Sequence, residues 1–139
     1  MNTNFYFAEL FNHIQRISTR CQLRVGQIFF ECGELPFSAC LTIEENFGEC
    51  MLTFKCWDDD YERLTEEDKT FIGCKVSADH EHVKVLTHNA YFEVNTSFYF
   101  SDVDMMISLF TKHLDELKEC LMDIFGFLCV KLNELPTNE

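Results

Sequence analysis

From Val103 to Leu128 the chain sets Val103, Ile107, Phe110, Leu114, Leu117, Leu121, Ile124 and Leu128 at alternating steps of four and three, a stripe that only a helix aligns on one side. Met106, Leu109 and Cys120 widen it. Ser101, with Asp104 three residues on, supplies an N-terminal cap, and Gly126 is expected to end or loosen the helix. So broad a stripe can pack on a sheet and still leave a seam for a second helix. Val103, Ile107, Phe110, Leu114, Leu117 and Leu121 are therefore candidate positions of a homodimer or partner interface. The simpler reading is that core packing uses the whole stripe.

The rest of the chain supplies the sheet. Phe7, Leu10, Phe11, Ile14, Ile17 and Cys21 recur at helical spacing, which predicts a first helix over 4–20, capped by Thr3 or Asn4. The run from Leu23 to Cys32, rich in Val, Ile and Phe, reads as one strand with a bulge at Gly26. Phe37, Ala39, Leu41 and Ile43 alternate with polar neighbours, and after the Glu45–Gly48 turn Cys50, Leu52, Phe54 and Cys56 do the same, giving a hairpin. Both faces of it carry apolar residues, as in a sheet covered on both sides. An acidic loop from Asp58 leads to Thr65 and Asp68, a capping-box pattern opening a short helix to about Ala78. Val83–Thr87 and Ala90–Phe100 read as two further strands joined at His88 and Asn89. The expected fold is α+β: an N-terminal helix, an antiparallel sheet of about five strands interrupted by a short helix, and a long C-terminal helix. With only 2 Pro and 5 Gly, and no repeat or linker, residues 1–131 are expected to form a single domain and 132–139 a flexible tail.

Charge narrows the partners. The 24 acids and 11 bases give a formal charge of -13, which repels phosphate backbones and anionic lipid headgroups, so neither nucleic acid nor membrane is expected. A basic protein or peptide, or a cation, fits that field; a solvated acidic surface explains it as well. No run approaches the roughly 18 apolar residues of a membrane span. The segment Met1–Tyr6 shows no signal pattern, so a cytoplasmic location is expected, and the eight cysteines are read as reduced packing residues rather than a disulfide framework.

Chemistry-bearing patterns are few. His80, Glu81 and His82, with His88 beyond, form the one cluster with metal-ligand character, because alternate residues of an extended segment point the same way. A turn holding exposed histidines is the alternative. The acidic run from Asp58 fails as a calcium loop, since Arg63 stands where Gly is needed and Lys69 where Glu is needed. No nucleophile elbow, Walker loop, dinucleotide fingerprint or C-x-x-C motif is present, so no catalytic residue and no cofactor is assigned and the chain is not expected to be an enzyme. Trp57, Tyr91 and Tyr99 are candidates for an exposed aromatic patch suited to peptide capture, unless a helix covers that face.

The order of elements resembles the YbjN-like family of bacterial sensory-transduction regulators, which looks like the type III secretion chaperone fold. The resemblance is best over Lys69–Phe127: the short helix, the His82-Val83-Lys84-Val85 strand entry, the strand closing in Ser97-Phe98-Tyr99-Phe100-Ser101-Asp102, and the final helix. It differs at Gly73-Cys74-Lys75-Val76-Ser77 and at the His88-Asn89 turn. The resemblance implies a non-enzymatic protein-binding domain, often dimeric, acting as a regulator or chaperone-like adaptor for an extended partner segment. The alternative function is a small metal-dependent enzyme or sensor using His80, His82 and His88.

Overall fold

A computed structural model of the chain describes residues 1–134. In chain order the elements are α1 (Thr3–Ile17), β1 (Arg20–Arg24), β2 (Gln27–Cys32), β3 (Leu35–Ile43), β4 (Gly48–Trp57), α2 (Asp59–Glu62), α3 (Glu66–Asp79), β5 (Lys84–Thr87), β6 (Tyr91–Phe100) and α4 (Val103–Asn133). The strands form one antiparallel sheet in the order β1-β2-β3-β4-β6-β5. The fold is α+β, as expected, with six strands where five were read.

The extra strand, β1, takes Arg20–Arg24, from the expected end of the first helix into the start of the run read as one strand. Val25 and Gly26 both take positive φ, 26° and 77°, and turn the chain in a two-residue hairpin where a bulge was expected. A β-branched residue is a poor occupant of that region, so Val25 gives no turn signal. The first helix ends at Ile17, three residues early: the Ser18 hydroxyl folds back onto the Ile14 carbonyl at 2.6 Å, and the Thr19 amide joins the sheet through the Glu31 carbonyl at 2.8 Å. Asn2 caps α1, in place of Thr3 or Asn4, by accepting from the Phe5 amide. Asp102 caps α4 in place of Ser101, its carboxylate taking the Met105 amide at 2.7 Å. Thr65 caps α3 as read. Gly126 does not end α4, which runs through it and past Leu132 to Asn133; the rest of the expected tail, 135–139, lies outside the described residues.

All the helices that pack on the sheet do so against one face. Leu10 and Ile14 of α1, Ile72 and Val76 of α3, and Met106, Phe110, Leu114, Leu117, Cys120, Leu121, Ile124 and Leu128 of α4 close over Ile28, Phe30, Phe37, Ala39, Cys50, Leu52, Phe54, Phe92, Val94, Phe98 and Phe100. Each such large side chain withdrawn from water contributes roughly 1.5–3 kcal/mol. Among the described residues the sheet is therefore covered on one side only, not on both.

This arrangement also spends the α4 stripe. Phe110, Leu114, Leu117 and Leu121 are buried within the chain, so no dimer seam remains at those four positions; Val103 and Ile107 are half-buried at the start of the helix. Stripe and sheet match because a two-layer domain must cover its sheet with the broadest apolar helix it has. Among the described residues no helix is long and apolar enough to cross a membrane.

Candidate functional site

The strand period of two puts every residue opposite the core set on the outer face. Register aligns Arg20, Glu31 and Pro36; then Gln22, Phe29, Ser38, Thr53, Asn95 and Lys84; then Cys40, Met51 and Ser97; and Trp57 with Tyr91. The face holds four of the chain's 11 bases (Arg20, Arg24, Lys55, Lys84) and three of its 24 acids (Glu31, Glu49, Glu93), leaving about three acids for every base elsewhere. A charge-balanced face on so acidic a chain, rich in exposed rings, has the composition of a docking surface.

Its aromatic groups are organised. The rings of His88, Tyr91 and Trp57 stack in a column, with centroids 4.3 Å and 4.5 Å apart and planes within about 20° of parallel. The column is built by the β4–β6 pairing, which sets Trp57 opposite Tyr91, and by the short turn that brings His88 back over Tyr91. Tyr61 anchors that turn from the core side, donating its hydroxyl to the His88 carbonyl at 2.8 Å. Tyr91 is half-buried between its neighbours while Trp57 remains 65 % exposed. At the other end of β6, Tyr99 is 62 % exposed with Phe47 edge-on to it at 5.8 Å. Trp57, Tyr91 and Tyr99 thus all lie on the open face, which no helix covers among the described residues, but they do not form the single patch expected: Trp57 and Tyr91 stack at one end of β6 and Tyr99 stands with Phe47 at the other.

From the Trp57 end two adjoining grooves, of about 500 and 700 Å³, share Phe29, Pro36 and Phe37 and make one trough across the strands. It runs from Arg20, Gln22 and Glu31 to Lys55, Trp57, Glu93 and Asn95, with Met51 and Thr53 on its floor. Lys55 and Glu93 are paired at 3.4 Å, and the Arg24 guanidinium lies 6.0 Å over the Phe29 ring. Phe29 and Met51 belong to this surface and were not singled out from the sequence, because in a run such as Ile28-Phe29-Phe30 an outward ring reads the same as its buried neighbours.

The histidines do not assemble. His80, at the end of α3, is 2.6 Å from the Asp123 carboxylate of α4; His82 approaches His113 at 6.1 Å between centroids; and His88 belongs to the aromatic column. Glu81 and His82 form a turn between α3 and β5, closed by the Val83 amide on the His80 carbonyl at 3.1 Å, so His80 and His82 are not alternate residues of one strand. Among the described residues no group of three or more His, Cys, Asp or Glu is arranged to hold a metal ion. All eight cysteines are free thiols. Burial, aided by Asp123, pushes the Cys120 thiol up to about 12, and burial, with Cys40 and Glu49 beside it, raises the Cys50 thiol as well, so neither supplies a thiolate near neutrality.

One polar pair inside the core was not read from the sequence. His113 of α4 and Thr96 of β6, both buried, hydrogen-bond at 2.8 Å. Its trace in the sequence is that His113 sits on the apolar stripe between Phe110 and Leu117.

No family model, curated protein or solved structure matches the chain.

Proposed function

We propose that this chain is a cytoplasmic, non-enzymatic protein-binding module that docks a partner on its open sheet face, in the manner of a regulator or chaperone-like adaptor. The observation that carries the reading is the contrast between that face and the rest of the surface: an aromatic, charge-balanced trough on an otherwise strongly acidic domain. The regulator or chaperone-like part of the reading rests on the resemblance of the sequence to the YbjN-like family, whose expected order of elements includes a long C-terminal helix beside an antiparallel sheet. The open face adds a rigid platform. An extended segment lying on it gains apolar burial without disturbing the core.

Site-directed photocrosslinking tests this. A photoreactive phenylalanine analogue placed at Met51 or Tyr99 is expected to trap one or a few discrete proteins in cell extract. The same group at Met122, exposed on α4, is expected to trap none of them. Identical products from both faces, or none from the sheet, would overturn the reading.

A further inference from the structure

The docking reading leaves the chemistry of the occupant open, and the surface narrows it. We propose that the occupant is an extended segment of another protein in which apolar residues alternate with Lys or Arg. The inference rests on the sheet face being the docking surface.

Three features converge. The trough crosses from β1 to β6, four strand spacings or about 19 Å, which about six extended residues span. An extended segment presents alternate side chains to opposite sides, so one set settles on Phe29, Met51 and Trp57 while the other projects past the rim. At the Trp57 end the rim is acidic, because β4 runs directly into Asp58, Asp59 and Asp60. Asp58 is spent capping α2 and Asp60 lies 3.4 Å from Arg63, but Asp59 forms no ion pair among the described residues. The outer side of the Trp57 indole, away from Tyr91, offers a π-face to a cation at the strand end that these exposed acids follow, and Lys55 in the same groove is already paired with Glu93. At longer range the -13 charge draws a basic segment in and holds an acidic one, including a second copy of this chain, away.

The single tryptophan makes the test direct, since Trp57 lies in the site. The probes are synthetic peptides of about ten residues alternating valine with lysine, with glutamate or with threonine. The lysine peptide is expected to shift Trp57 emission saturably and to bind at least about tenfold tighter than the threonine peptide, with affinity falling as salt is raised. The glutamate peptide is expected not to bind. Binding followed by anisotropy of labelled lysine peptide is expected to weaken severalfold in Trp57→Ala and in Asp59→Asn/Asp60→Asn, and to hold in Asp115→Asn/Glu119→Gln, whose carboxylates are exposed on α4. Equal binding of lysine and threonine peptides would overturn the basic occupant while leaving the docking face intact. Equal weakening by the α4 variant would reduce the effect to unspecific attraction and also overturn it. Concentration-dependent self-association that changes Trp57 emission, with no peptide bound, would make the face a surface for a second copy. A face that takes neither peptide nor copy would remove the docking reading itself.

Discussion

His113 holds its Nδ1 atom 2.8 Å from the hydroxyl of Thr96, pinning the N-terminal half of α4 to β6 through a buried polar contact in an apolar layer. The Phe98 ring lies 4.9 Å from the imidazole and His82 6.1 Å from it. Burial lowers the proton affinity of His113, against a partial opposing pull from Glu116, with His82 and Lys112 adding to the lowering.

A pH dependence follows. The unfolded histidine titrates near its ordinary value of 6.5, while the folded one stays neutral to lower pH. Stability from this site is whole above about pH 6.5 and is lost as pH falls through the depressed folded value. Every tenfold weakening of proton binding corresponds to about 1.4 kcal/mol. His13, lowered by burial and by Arg16, acts in the same sense. Urea midpoints are expected to drop from pH 7.5 to 5.5, and His113→Gln is expected to flatten part of that slope. An unchanged slope in the variant would contradict the assignment.

Gly48→Ala is expected to destabilise the domain by about 1–3 kcal/mol. A Cβ there would sit 2.6 Å from Cε2 of the buried Phe100 ring and 3.0 Å from Cδ1 of Ile43. Phe100→Leu should recover part of the loss in the double variant, which a thermal double-mutant cycle measures.

The two cap candidates of α4 are separable. Asp102→Ala removes the acceptor of the Met105 amide and is expected to cost about 1 kcal/mol, whereas Ser101→Ala, whose hydroxyl reaches only the Met105 sulfur at 3.9 Å, should change stability by a few tenths at most. Chemical denaturation of the two variants decides between them.

Lys69 is 7 % exposed, and its ammonium donates to the carbonyls of Asn89 at 2.7 Å and Glu62 at 3.2 Å while lying 5.1 Å over the Tyr61 ring. Lys69→Met keeps the stem and strips both carbonyls of their donor. The expected loss is about 1–3 kcal/mol, with faster amide exchange around the His88–Asn89 turn and a less ordered ring column.

What the sequence determined by itself was local periodicity. The four-three spacing of α4, the alternation in β3 and β4, and the Thr65 cap each depend on residues within a few positions of one another, so each was legible. Nothing local distinguishes a helix stripe that will be buried from one left as a seam, and the burial of Leu114 and Leu117 was settled only when the sheet supplied a surface to cover. In the same way Phe29 and Met51 carry apolar side chains like their core neighbours, and only packing of all the sheet-covering helices on one side left them on the open face. The Trp57–Tyr91–His88 column joins residues far apart in the chain through β4–β6 register, and the Thr96–His113 contact joins a strand to a helix. The tertiary structure alone decided these contacts, because strand pairing and layer packing, rather than spacing along the chain, bring their partners together.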